Sequence, residues 1–507
     1  MASRRDELNA YTFAKRRMLA AFVQPSATGS EESAPRPLRA LVPGVIIAVV
    51  IMAGFGAWGM LKPTAPQGWD TPGEKVIIAS KSTTRYVVLK TKNKAQLHPV
   101  LNMASAKLLL DQDKGQVVNV DESVLDSGKV PHGVTIGIPY APDRLPDPAE
   151  AGAAKRWAVC QRPGDGDAIQ KAAFVFAKRD EKRVDGPGRL TGGDLLYVQG
   201  PAPDKTRYVV DKSGTAYPLD QDDNLVGAVV PSGHEPQQVS EDWLKTLHNG
   251  SKIEFPAING VGSAAGVDGT LDDQANRVGT ILRALDGGVL RYYLVESGKV
   301  EPISDFMANL LLQDPDLSQV MTTGQAIKVN RGSFTPSDTE FGSDLNWPKD
   351  KPNVANTPST ENGARNTVCN VMRSVAGNGG RTTLSTWAGT AFPATLATGS
   401  SSAYVTPGSG QLYRQFQNTE TKAGAVFLVT DTGLRYALQS NGDSATADCG
   451  IGESGKKNDQ QQPPEKESQT RLGYGDVTPA PVPAAWSEFL PTGPRLSPSA
   501  ACQPQGS

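Results

Sequence analysis

The chain has 507 residues, 38% of them hydrophobic and 6% aromatic, with 52 glycines and 38 prolines. That length allows two or more domains, and the composition describes a folded chain poor in core and rich in turns. A net charge of -2 at pH 7 and a pI near 6.2 exclude a basic nucleic-acid footprint.

Residues 1–39 read as a cytoplasmic N-terminal segment carrying Arg4, Arg5, Lys15, Arg16, Arg17, Arg36 and Arg39. Leu8, Tyr11, Met18, Leu19 and Phe22 can share one helical face with Lys15 and Arg16 beside it, which suits a protein contact or an anionic lipid surface. Ala40–Leu61, ALVPGVIIAVVIMAGFGAWGML, then runs for 22 residues without a charge, between Arg39 and Lys62. As a helix it reaches about 33 Å, against a bilayer core of about 30 Å. A signal peptide's apolar core is shorter and leads into a small-residue cleavage site, and Pro66 spoils the nearest such site here, so an uncleaved anchor is expected. The basic residues ahead of the span place the N-terminus in the cytoplasm and the chain beyond Lys62 outside. SRRDEL has the paired arginines of a twin-arginine signal, but the apolar core starts too far downstream. Residues 62–75 read as a linker.

Beyond the linker the chain repeats itself. TRYVVDKSGTAYPL (206–219) and LRYYLVESGKVEPI (290–303) match without gaps at Arg207/Arg291, Tyr208/Tyr292, Ser213/Ser297, Gly214/Gly298 and Pro218/Pro302. TRYVVLKTKNKAQLHPV (84–100) keeps Arg85, Tyr86 and Pro99 around a longer turn, and AVFLVTDTGLRYAL (425–438) is a weaker copy with Phe427 and Gly433. Each predicts a β-hairpin, and a proline after the return strand is expected to end the pairing, because it has no N–H to donate. PVLNMASAKLLL, PISDFMANLLLQ and PLDQDDNLVGAVV predict a short helix after the hairpin. VDES and VSED further on predict helix starts, with acids near the positive end.

The expected division is repeat 1 over 76–149, repeat 2 over 191–262, repeat 3 over 275–344 and repeat 4 over 421–490, the last with a polar, mobile insert at 440–470. Segments 150–190 and 345–420 fall outside the repeats and read as two parts of one β-rich central domain, and 491–507 forms a C-terminal tail. The fold class is therefore α+β: a single-pass transmembrane helix, then four strand-turn-strand-helix repeats around a β-rich centre. Four cysteines, Cys160, Cys369, Cys449 and Cys502, lack the C-x-x-C spacing of a zinc site, and an even count in an exported region suggests disulfides. Three pairings are possible and sequence does not choose among them. Pairing like with like joins Cys160 to Cys369, each ending a short apolar run, and Cys449 to Cys502, both in tail-like sequence.

Several stretches occur together: SRRDELNAYTFAKRR (Arg4, Arg5, Asp6, Phe13, Arg16, Arg17), RYVVL with LHPVLNMASAKLLL (Tyr86, Leu97, His98, Pro99, Asn102, Ser105), GIPYAPDRLP (Gly137 to Pro146), the cysteines after AV and TV, and the closing RLGYGD and LPTGPRLSP. On these the chain resembles EccB, the single-pass membrane component of actinobacterial type VII (ESX) secretion systems, nearly end to end. The resemblance implies an elongated outer domain of four repeats about a central domain, and a disulfide bridging that centre, which supports Cys160–Cys369. It implies a structural part of the secretion channel, assembled with an EccC-like FtsK-type motor ATPase, EccD-like and EccE-like membrane subunits and a MycP-like protease, with self-association of the outer domains. Arg4, Arg5, Phe13, Arg16 and Arg17 are the residues expected at the cytoplasmic contact. The insert at 440–470 and the extra Cys449 and Cys502 depart from the family pattern.

Enzymatic signatures are missing from the sequence. A P-loop requires G-x-x-x-x-G-K-[ST], and GESGKK at 452–457 has the wrong spacing and no hydroxyl after the lysine. No G-x-S-x-G or H-E-x-x-H occurs, and His98, His132, His234 and His248 have no metal-like spacing. The expectation is a non-enzyme without cofactors. Its competitor is a multivalent cell-wall-binding anchor with no channel role, since repeated modules on a stalk suit multivalent binding.

Overall fold

The structure, a computed structural model, describes residues 3–23, 37–61, 65–166, 168–397, 402–439 and 464–505. The chain divides into two compact units, Met1–Gln67 and Gly68–Ser507. The first holds two helices, Arg4–Val23 and Pro37–Leu61. Leu41–Gly59 within the second is long and apolar enough to cross a membrane, with a mean hydropathy of 2.2 and none of it buried.

The second unit is mixed α and β and rich in strands. Its central sheet runs in the order Thr382–Gly389, Thr367–Val375, Arg156–Pro163, Ile169–Phe176, Ala403–Val405. The first four strands pair antiparallel and the last joins parallel to Ile169–Phe176. Side chains alternate across a strand, so Trp157 and Val159 enter one core while Ala158 and Cys160 enter another. Burial on both faces is why WAVC (157–160) is continuously apolar rather than alternating.

Four further sheets share one plan. The first has the order Lys94–Val100, Arg85–Thr91, Lys75–Ala79, Gln116–Val120, and the third Lys299–Ile303, Val289–Glu296, Ile281–Asp286, Ile327–Lys328. The last follows the same order with Arg435–Ala437, Val426–Thr430, Gly410–Phe416 and Ala480–Pro483. The second, six-stranded, contains it as Thr215–Leu219, Arg207–Val210, Asp194–Gln199 and Gln237–Gln238, with His248–Asn249 and Asn353–Val354 added. In each, three strands pair antiparallel and a late strand returns parallel to the earliest one. A parallel return needs a crossover, and helices Met103–Leu109, Asp223–Val229, Asp305–Leu311 and Pro464–Arg471 lie in the crossing segments. Asn102, Asp222 and Ser304 cap the first three by accepting N–H groups of Ser105, Leu225 and Met307.

The repeated prolines do not end the pairing. Pro99, Pro218 and Pro302 are the penultimate residues of their return strands, paired with Tyr86, Tyr208 and Tyr293. Their carbonyls accept the N–H of Ile136 at 3.0 Å, Ile253 at 2.8 Å and Phe341 at 3.0 Å. A residue's N–H and C=O point the same way along a strand, so the missing donor lies on the outer side, away from the hairpin partner. The gapless match also hides a one-residue difference: Tyr208 faces Pro218, but Tyr292 faces Ile303.

Shared cores connect the sheets. Ala104 and Leu108 beside the first sheet pack with Leu412, Leu428 and Tyr436 of the last. Leu195, Tyr197 and Val209 of the second pack with Ile281 and Leu294 of the third and with Phe306 of its crossover helix. The central sheet joins both groups, through Trp243 and Leu247 of the second sheet's late segment and through Tyr413 and Val429 of the last sheet and Trp486 in the helix after it. The end of the chain returns to the segment that flanks the first sheet beside Val100, where Gly137 donates to Gln503 O and Gln505 to Thr135 O. Of the expected insert, 440–463 lies outside the described residues, and helix Pro464–Arg471 follows it.

Trp243 is fully buried and donates Nε1–H to Val159 O at 3.0 Å, which ties the second sheet's late helix to the central sheet. Trp243→Ala is expected to cost about 3–5 kcal/mol, read as a lowered urea midpoint of the full chain in detergent.

Candidate functional site

Two regions hold the residues singled out by sequence. The first is the centre of the sheet. Cys160 and Cys369 are direct partners across the antiparallel pair, with Cα atoms 4.0 Å apart, and they form a disulfide. A non-hydrogen-bonded antiparallel pair brings Cα atoms to about 4.5 Å, so the pairing places the two thiols within bonding reach. Trp387 and Ala172 continue the same row on the two flanking strands. The Trp387 indole donates to Pro187 O at 3.0 Å and lies so close over Gly188 that a Cβ there would meet Nε1 at 2.6 Å. Both cysteines are completely buried. Cys502 is also disulfide-bonded, while Cys449 lies outside the described residues.

The bridge closes a loop of 209 residues. Replacing both Cys160 and Cys369 by alanine is expected to remove about 2–5 kcal/mol, seen as a lower urea midpoint than wild type under non-reducing conditions.

The second region is helix Arg4–Val23, which carries Arg4, Arg5, Phe13, Arg16 and Arg17, all exposed. At about 100° per residue, Leu8, Tyr11, Met18, Leu19 and Phe22 form one stripe, with Arg4 and Lys15 inside it. Arg5, Phe13, Arg16 and Arg17 lie on other sides. The helix thus separates the five candidates: Arg4 belongs with the apolar stripe and Phe13 stands opposite it. The stripe is solvent-facing, from 56% exposure at Leu19 to 93% at Phe22.

The histidines serve structure. His98 is buried in its strand, with Nδ1 2.9 Å from Val134 O and Nε2 3.1 Å from Thr91 Oγ1. A carbonyl only accepts, so Nδ1 carries the proton and Nε2 accepts from the threonine. Gly133 permits this, because a Cβ there would meet the ring at 2.3 Å. Desolvation holds the His98 pKa below its ordinary value. His248 is lowered in the same way by desolvation and by the nearby Arg381, and its Nε2 is 2.8 Å from Thr382 Oγ1. His234 Nε2 lies 2.6 Å from Asn356 O, and His132 faces Asp126 at 3.4 Å. Among the described residues no three His, Cys, Asp or Glu side chains group as a metal site would require.

Because the folded state keeps His98 and His248 neutral while the unfolded chain protonates near pH 6.5, the unfolded state binds more protons below that value. Stability contributed by these groups is complete above pH 6.5 and is lost as pH falls through the region below it. Urea midpoints should fall between about pH 7.5 and pH 5.5, and His98→Gln should flatten that slope.

The family model described as "Type VII secretion system ESX-1, transport TM domain B" matches residues 1–506. The chain is 24% identical over 444 residues to the ESX-3 secretion system ATPase EccB3 of Mycolicibacterium smegmatis (strain ATCC 700084 / mc(2)155), covering 82% of this chain and 79% of that protein. Its fold is similar to a chain in the periplasmic assembly from the ESX-5 inner membrane complex, with a TM-score of 0.54 at 18% identity, over 87% of this chain and 98% of the other. It is similar also to the EccB3 dimer from the ESX-3 core complex, with a TM-score of 0.54 at 22% identity, over 84% and 99%. The relative's name as an ATPase corrects the expectation of a non-enzyme. That expectation rested on known signatures, and a P-loop search tests only one way of cradling phosphate. A site assembled from separate segments leaves no contiguous motif to find.

Proposed function

Because the chain belongs to the EccB family of type VII (ESX) secretion systems, we propose that it is a membrane subunit of the secretion channel whose larger unit forms the extracytoplasmic part of the assembly. The observation that carries this reading is the family match over residues 1–506. The apolar Leu41–Gly59 span and the basic residues ahead of it support a single pass with the N-terminus in the cytoplasm. The common plan of four sheets supports reading them as four repeats about the central sheet, near 76–149, 191–262, 275–344 and 421–490. The complexes in which the structural relatives were solved support assembly with other membrane subunits and with further copies of the chain. EccC-like, EccD-like, EccE-like and MycP-like proteins are the partners proposed, with Arg4, Arg5, Phe13, Arg16 and Arg17 at the cytoplasmic contact. ATP hydrolysis enters the proposal from the name of the relative.

The test is affinity purification of the tagged full chain from gently solubilised membranes, followed by mass spectrometry. A large particle with an FtsK-like ATPase and a multi-spanning subunit is expected, and deletion of residues 1–39 should release the ATPase. Recovery of the chain alone on wall fragments would replace the channel reading with a wall anchor. The purified particle should release phosphate from ATP faster than its heat-unfolded control; an equal rate would remove hydrolysis from the proposal.

A further inference from the structure

The third sheet ends in an apolar tip. Strands Ile281–Asp286 and Val289–Glu296 are joined by Gly287 and Gly288, whose φ values of 58° and 84° suit glycine and turn the chain in two residues. Leu285 pairs with Leu290, and Asp286 with Val289. Paired residues project to the same face, so Leu285 and Leu290 stand together at the tip. Their exposures are 62% and 45%; Val289, 58% exposed, projects from the opposite face of the tip. A contiguous exposed group of this kind at the end of a hairpin marks an interaction surface more often than a scattered leucine does.

The surroundings give the surface a sign and a shape. An open groove beside the tip is lined by Arg283, Ala284, Leu285, Leu290, Lys328 and Arg331. The nearby carboxylate, Asp286, is already engaged by Arg331 at 3.4 Å and Arg291 at 4.0 Å. Arg283 and Lys328 are exposed and have no ion-pair partner among the described residues. The groove therefore combines two leucines with an excess of positive charge. Strand Ile327–Lys328 pairs with Ile281–Asp286 only at Leu282 and Arg283. After Val329 donates to Arg283 O at 3.0 Å the ladder ends, and the chain continues into Arg331–Ser333 with Arg331 against Asp286.

We propose that this groove docks an acidic polypeptide segment, extended and carrying apolar side chains at alternate positions. The apolar side chains lie against Leu285 and Leu290, the carboxylates meet Arg283 and Lys328, and the backbone runs along residues 284–286, where the neighbouring strand has ended. A second copy docking through the same face brings the same cations into apposition, which opposes self-pairing there. A flat bilayer leaves the groove unfilled. This inference goes beyond the channel reading and does not depend on it.

The test uses the full chain in nanodiscs of zwitterionic lipid. The probe is a fluorescent synthetic peptide of alternating leucine and glutamate, with the leucine–lysine peptide as its counterpart, and the readout is anisotropy. The glutamate peptide should bind, more weakly as salt is raised, and the double variant Leu290→Asp, Lys328→Glu should weaken it about tenfold or more. Both sites are exposed, so an unchanged thermal unfolding midpoint is expected of the variant. Equal binding of the two peptides, or binding unaffected by the variant, would overturn the proposal. So would a change of oligomeric mass in the variant, which assigns the tip to a copy of the chain. Loss in the variant of binding to phosphatidylglycerol vesicles, with the glutamate peptide ignored by wild type, would assign the tip to lipid and overturn it equally.

Discussion

The pairing of Arg156–Pro163 with Thr367–Val375 is the contact on which the larger unit depends. It joins two stretches separated by the whole of the second and third sheets in sequence, and one of its pairs, Cys160 with Cys369, is covalent. A sheet of four short strands is stable only when something covers its apolar face. Each therefore needs a neighbour, and the central strands provide it to the second and last sheets on one face, through Trp157 and Val159, while Cys160 and Phe174 face a separate aromatic cluster. Loss of this pairing would free two ends of the unit from each other, even with every hairpin intact.

The same constraint explains why the sheets share their cores in pairs. The first sheet joins the last through Ala104 and Leu108, and the second joins the third through Leu195 and Phe306. In both cases residues at or beside the crossover helices meet residues of another sheet. A chain with 38% hydrophobic residues and 6% aromatic makes no single large core, and shared small ones are what that composition permits. The strand-to-strand devices are equally economical. Pro99, Pro218 and Pro302 each turn a carbonyl outward to a later segment, so the return strand of the hairpin becomes an inner strand on its carbonyl side alone.

Much of this was legible in the sequence, and the misses have physical causes. The hairpins are local, and their β-branched residues, turn glycines and capping side chains sit within a few positions of one another. Asn102, Asp121, Ser240 and Ser304 accept the N–H groups that a cap requires. The strand preceding each hairpin, such as Lys75–Ala79 or Asp194–Gln199, was not legible. The connections after it are 5, 7, 2 and 9 residues long in the four sheets, and a comparison without gaps cannot align across them. The parallel strands Gln237–Gln238 and Ile327–Lys328 are two residues each, too short to show a period. The prolines misled because the rule that proline ends pairing holds only on the side where its N–H is needed. The ATPase name of the relative was illegible for a different reason, since no contiguous stretch of the chain carries the P-loop signature.

Where the folding contacts end is as informative as where they lie. In the larger unit nearly all bulky apolar side chains of the strands are consumed by cores shared between sheets. Those left over among the described residues are Val117 on the first sheet and Leu285, Val289 and Leu290 at the hairpin of the third, whose apolar residues pack in the core shared with the second sheet and in one of its own. In the smaller unit the stripe of helix Arg4–Val23 is left over in full, with Arg4 and Lys15 among its leucines and aromatics. Both residues of folding have the same chemistry: apolar side chains with cations beside them. Basic neighbours keep such a surface soluble and bias what covers it toward negative charge. The residues that hold the fold together are therefore a different set from those proposed to meet a partner.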